Sequence, residues 1–109
     1  MKQITVEELH RLWSGADDEQ CCLIDVRTPE EYARGHVPGA RLISLDALPA
    51  RAHEVPKDRD VYLICRSGAR SAQALKYLSD HHGHARLFNV AGGTLAWIEA
   101  GYPVEQGAG

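Results

Sequence analysis

The sequence predicts a three-layer α/β/α domain around a mostly parallel sheet. Three observations carry this expectation. Apolar runs of strand length recur at residues 21–26, 40–45, 60–65 and 85–90. Helical patterns with start and stop signals lie between them, the alternation typical of βαβ units. The runs "CCLIDV" and "DVYLIC" are apolar almost throughout instead of alternating, as strands covered on both faces are. At 109 residues the chain is expected to form one domain over 1–105, followed by a flexible tail at 106–109. A domain of this size buries roughly 65% of its unfolded surface, enough for one core.

Thr5-Val6-Glu7-Glu8 reads as a capping box, with Val6, Leu9 and Trp13 as an apolar stripe behind it. It predicts a helix over 6–14 that stops near Gly15. The strand at 21–26 comes next. Thr28-Pro29-Glu30-Glu31 is a second capping box with proline at a favoured first helical position, and Gly35 stops that helix. "ARLISL" (40–45) is strand-like, and "LDALPARAHEV" (45–55) predicts a short helix. "DVYLIC" (60–65) is the clearest strand and is expected at the centre of the sheet. The helix from Gly68 to Gly83 turns Ala72, Leu75 and Leu78 inward, with glycine as its stop. "ARLFNV" (85–90) is a strand, and "GGTLAWIEAG" a last helix closed by Gly101 with Pro103 beyond it.

Composition narrows the function. An apolar fraction of 44% and a charged fraction of 25% are those of an ordinary globular domain, not of a disordered chain. A net charge of −3 argues against a nucleic-acid partner, because neutralising phosphates needs a basic face. Acidic residues at Glu7 and Glu8 interrupt the place of a signal-peptide core, and no apolar run approaches the roughly 18 residues of a membrane helix. Three cysteines, Cys21, Cys22 and Cys65, are too few and too odd in number for a disulfide framework. They fit a reducing compartment, so a cytoplasmic location is expected.

The chemistry concentrates in "CRSGARS" (65–71). Ligands of parallel sheets bind beyond the carboxyl ends of the strands, which is where Cys65 falls. Gly68 permits a tight loop. The backbone N–H groups from Arg66 to Ser71, through Ser67, Gly68, Ala69 and Arg70, are placed to turn inward as an anion-binding nest. The following helix aims its positive N-terminus at the same point. Arg66 and Arg70 add charge, and Ser71 is placed either to bond the sulfur or to cap the helix. All of these favour thiolate over thiol. The alternative is a buried cysteine that only packs, beside arginines that face solvent.

At this loop the chain resembles the rhodanese-domain sulfurtransferases. "DVRTPEEYARGHVPGA" (25–40), "VYLICRSGARS" (61–71) and "VAGGTLAWIEAGYPV" (90–104) resemble three blocks of that family in the same order. The resemblance implies a five-stranded α/β/α domain and a cysteine that carries sulfane sulfur. Phosphatase and arsenate-reductase relatives of the fold use Cys-x5-Arg, whereas Cys65 to Arg70 is Cys-x4-Arg, the loop length that in the family marks sulfur transfer. The implied activity is that of a thiosulfate sulfurtransferase working through a Cys65 persulfide, without cofactor or metal. The donor is thiosulfate or polysulfide, and the acceptor cyanide, a thiol or a protein. Arg66 or Arg70 orients the anionic donor. A sulfur-carrier module acting with a partner protein is the other reading, and a phosphatase or arsenate reductase a third.

The remaining candidates have structural readings. Asp25 and Arg27 are expected to brace the site through charge-assisted bonds. His36, in "GHVPGA", is expected to be a satisfied structural histidine. Adjacent Cys21 and Cys22 lack zinc-site spacing, and one of them is expected to face the core. "HHGH" (81–84) reads as solvated surface or an adventitious metal site, and Trp13 and Trp97 as core.

Overall fold

A computed structural model of the chain describes residues 2–107. The elements, in order, are β1 (Gln3–Ile4), α1 (Val6–Leu12), β2 (Cys21–Asp25), α2 (Pro29–Arg34), β3 (Arg41–Leu42), α3 (Leu48–Arg51), β4 (Asp60–Ile64), α4 (Ala69–His82), β5 (Leu87–Val90) and α5 (Gly93–Glu99). Short 3₁₀ turns flank α3. The five strands run β1-β5-β4-β2-β3, and every pairing is parallel. The α/β architecture with β4 at its centre is therefore as predicted.

Period-two side chains distribute the core to both faces. Leu23, Tyr62 and Ile64 pack with Val6 and Leu9 of α1, Tyr32 of α2 and Trp97 of α5. Cys22, Ile24, Val61 and Leu63 pack on the other face with Leu48 of α3 and with Ala74 and Leu78 of α4. Leu9, Leu23, Leu63, Ile64 and Leu78 expose no side chain, and each such burial contributes about 1.5–3 kcal/mol. Because the sheet is covered twice, Cys21 and Cys22 are both buried, one on each face, where the sequence led us to expect only one.

Other departures have local causes. α1 ends at Leu12 because Trp13 turns extended, and its indole N–H donates to the Pro38 carbonyl at 2.8 Å. The run at 40–45 pairs as a strand only over Arg41–Leu42, after which the Ile43 and Leu45 amides still reach the carbonyls of Asp25 and Val26. β1 had no strand signal of its own, being two residues long. In α4 the buried stripe is Ser71, Ala74 and Leu78, while Ala72 and Leu75 are half-buried. The polar Ser71 is thus turned inward, towards the site. His84 is buried, not solvated. The chain reverses at Gly83 in the left-handed region and tucks His84 under the segment after α3, where Nε2–H donates to the Val55 carbonyl at 2.9 Å. Among the described residues no three potential ligands are grouped to hold a metal. No helix among them is long and apolar enough to cross a membrane. Within the tail at 106–109, Gln106 and Gly107 donate to the carbonyls of Arg34 and Ala33, and Ala108 and Gly109 lie outside the described residues.

Candidate active site

A parallel sheet brings the carboxyl ends of its strands to one edge. β4 lies between β2 and β5, so the segments after all three strands meet there. Cys65 follows β4, Asp25 ends β2 with Arg27 two residues beyond, and Gly92-Gly93 follows β5.

The loop folds over the Cys65 sulfur. Gly68, at φ 111°, takes a left-handed turn that places its N–H 3.1 Å from Sγ. The Ser71 hydroxyl lies 3.3 Å from Sγ, and the N-cap position of α4 is Gly68 instead, so the serine serves the sulfur and not the cap. Burial alone raises the Cys65 pKa. The Ser71 hydroxyl and the amides of Ser71, Gly68 and Ser67 outweigh it, and the thiol lies below its ordinary value. Cys22 shows the contrast: burial and nearby Asp17 push it up to about 11.

The two loop arginines part company. Arg70 is bound by both its terminal nitrogens to Glu31 of α2, at 2.6 and 2.8 Å. Those bonds hold the Glu31 carboxyl down at about 2, so the pair stays ionised through the physiological range. Arg66 is exposed and has no ion-pair partner among the described residues. It lines a cleft of about 160 Å³ with Arg27, Glu31, Arg34, Leu95 and Ile98.

Behind the loop, Asp25 is wholly buried and grips Arg27, with contacts of 3.0 and 3.1 Å to Nε and 2.7 Å to Nη2. Arg27 reaches on to the Gly35 carbonyl at 2.9 Å, tying the end of β2 to the end of α2. His36 is wholly buried but only half satisfied, contrary to expectation: among the described residues its Nε2 has no hydrogen-bond partner. Its Nδ1–H donates to the Tyr32 carbonyl at 2.7 Å, and its ring stacks on that of Tyr32.

Four further contributors carry little signal in the sequence. Glu31 does two things: it closes the Thr28 capping box, the only role its local pattern shows, and it binds Arg70. The Thr94 amide and hydroxyl both donate to the Cys65 carbonyl, at 2.9 and 3.1 Å. Gly93 allows that approach, since a Cβ there would lie 2.5 Å from the Cys65 carbonyl oxygen. Asn89 donates through Nδ2 to the Gly68 carbonyl at 3.1 Å and turns Oδ1 to the Ser71 hydroxyl. A polar residue inside the apolar run of β5 was the one available signal for it.

Cysteine reactivity tests this electrostatic picture. Cys65, Cys22 and Cys21 expose 1%, 0% and 5% of their surface, so access does not separate them and charge state must. Iodoacetamide labelling followed by peptide mapping is expected to modify Cys65 first. Its pH profile should have a midpoint below that of a free thiol. Equal labelling of the three cysteines would contradict the assignment.

Comparison with known proteins agrees with the geometry. Residues 5–100 match the family described as Rhodanese-like domain. A sulfurtransferase of Allochromatium vinosum is 47% identical over 89 residues, which cover 82% of this chain and 82% of its own. A putative sulfur carrier protein of Bacillus subtilis is 36% identical over 80 residues, 73% of this chain and 43% of its own. The crystal structure of a rhodanese-related protein from Thermoplasma volcanium superposes with a TM-score of 0.84 at 28% identity, covering 96% of this chain and 98% of that one.

Proposed function

The chain belongs to the rhodanese-like domain family of sulfurtransferases, and on that premise we propose that it moves sulfane sulfur from thiosulfate, or a polysulfide, to cyanide or a thiol acceptor through a persulfide on Cys65. The observation that carries this reading is the Cys65 sulfur held by the Gly68 N–H and the Ser71 hydroxyl, in a loop one residue shorter than a phosphatase cradle. The thiolate attacks the outer sulfur of the donor. The donor S–S bond breaks, and sulfite from thiosulfate, or the polysulfide shortened by one sulfur, leaves with the bonding pair. The loop amides then face the outer sulfur of the persulfide, an electrostatic role like that of an oxyanion hole. An acceptor nucleophile takes that sulfur, and Cys65 departs as thiolate. No external oxidant or general base is needed, and ping-pong kinetics follow.

Arg70 is engaged by Glu31, so we assign donor orientation to exposed Arg66. Asp25, Arg27 and His36 act structurally, tying the end of β2 to α2 and fixing the turn that follows it. Three unpaired thiols suit a reducing cytoplasm.

Intact-mass analysis after incubation with thiosulfate is the direct test. The native chain is expected to gain one sulfur, and the Cys65→Ser chain none. Absence of uptake from any sulfane donor, with phosphatase turnover in its place, would sink the reading. The similarity to a putative sulfur carrier supports a second reading, in which a partner protein accepts the sulfur and turns over. Fast single-turnover transfer to a protein acceptor, with negligible cyanide turnover, would favour it.

A further inference from the structure

Hydrogen-bond arithmetic around Ser71 assigns a task to Asn89. Both side chains are buried, Ser71 wholly and Asn89 to within 2%. The Gly68 carbonyl can only accept, so the Asn89 atom facing it at 3.1 Å is the amide nitrogen. Oδ1 then faces Ser71, and a carbonyl oxygen accepts only. The Ser71 hydroxyl has a single proton. Two acceptors lie within its reach, Asn89 Oδ1 and, at 3.3 Å, Cys65 Sγ.

We propose that Asn89 is a positioning residue acting through Ser71: its Oδ1 is the second acceptor between which the Ser71 hydroxyl switches as Cys65 alternates between thiolate and sulfur-substituted states. When Cys65 is a thiolate, the hydroxyl donates to Sγ. When Sγ carries a further sulfur, the charge sits on the outer atom, Sγ needs no donor, and the hydroxyl returns to Asn89. During transfer the acceptor's electron pair forms a bond to the outer sulfur. The Sγ–S bond breaks, Sγ takes the pair, and the Ser71 O–H swings onto it. No proton changes owner. Without Oδ1 the hydroxyl has only the sulfur to serve, and the thiolate is favoured at the expense of the loaded state. This inference rests on the sulfur-transfer reading for its cycle, but not for its titration.

The charged groups around the sulfur are Arg66 and Arg70 from the loop, Glu31 from α2, and the Asp25–Arg27 pair at the end of β2. None of them hydrogen-bonds to the Ser71 or Asn89 side chain among the described residues.

A double-variant cycle isolates the effect. The Cys65 thiolate is titrated by ultraviolet absorbance in the native chain, Asn89→Ala, Ser71→Ala and the double variant, with the matching Cys65→Ser signal subtracted. Loss of the Asn89 bond to the Gly68 carbonyl is common to both backgrounds and cancels. With Ser71 present, Asn89→Ala is expected to lower the midpoint by about 0.5 unit more than it does without Ser71, about a threefold change in thiolate fraction. Additive midpoints would overturn the proposal. Should the variants fail to fold, the native chain still decides. The side-chain carbonyl ¹³C shift of Asn89 is expected to move with the Cys65 midpoint, and a stationary signal would overturn it. Sulfur uptake by mass is read separately, so failure of sulfur transfer and failure of the switch give different results.

Discussion

Asp25→Ala is expected to destabilise the folded chain by about 3–5 kcal/mol, the cost of leaving a buried charge without its partner. Asp25 is wholly buried and Arg27 nearly so, at 0% and 6% exposure. The carboxylate takes the Arg27 backbone amide at 3.0 Å as well as the guanidinium, so its removal strands two donors. Against a total stability of about 5–15 kcal/mol, such a loss brings a domain of this size near its unfolding midpoint. Urea unfolding would measure it. Adding Arg27→Met is expected to recover part of the loss, because the penalty is the unpaired charge more than the lost contact. A single variant within about 1 kcal/mol of native would show that water or another group already compensates Arg27.

Gly93→Ala is expected to strike activity harder than stability. Alanine at φ 60° costs about 1–2 kcal/mol in backbone strain. The added Cβ also meets the Cys65 carbonyl oxygen at 2.5 Å and that of Arg66 at 2.6 Å, both backbone atoms that cannot rotate away. Either α5 lifts, breaking the Thr94 and Leu95 amide bonds to those carbonyls, or the sulfur-bearing loop shifts. A displacement near 1 Å costs on the order of a hundredfold in rate. Stopped-flow sulfur uptake on the folded fraction would read it. Gly101→Ala is the control: its φ of 82° is similarly left-handed, but nothing lies within 4 Å of the added atom. It should lower stability by the same strain of about 1–2 kcal/mol and leave uptake unchanged. Equal effects of the two variants would mean that backbone strain, not the close approach, limits the site.

Much of the site was legible because its parts are contiguous. Cys65, Gly68 and Ser71 lie within one strand-loop-helix segment, and strand end, glycine and helix start are all written in local pattern. Capping boxes at Thr5 and Thr28 marked two helix starts correctly, since each closes within four residues. The inward face of α4 follows its apolar pattern only in part. Of the apolar positions Ala72, Leu75 and Leu78, Leu78 is buried and Leu75 packs against the core, whereas Ser71 faces in beside Ala74 because the sulfur and Asn89 satisfy it. No apolar periodicity can show a polar side chain that is buried for its partners.

Local pattern along the chain carries the alternation of strands and helices, the place of Cys65 at the end of the central strand, and the loop length that bears on its chemistry. These depend on neighbours along the chain. Tertiary structure alone decided who meets the loop. Glu31 reaches Arg70 across 39 residues, Asn89 reaches Ser71 across 18, and Thr94 reaches the Cys65 carbonyl across 29. Those contacts exist because β4 lies between β2 and β5, which brings the segments after three strands to one edge. Strand order is a property of how the sheet closes its two cores. A single strand's residues carry its burial and its ends, but not the identity of its neighbours.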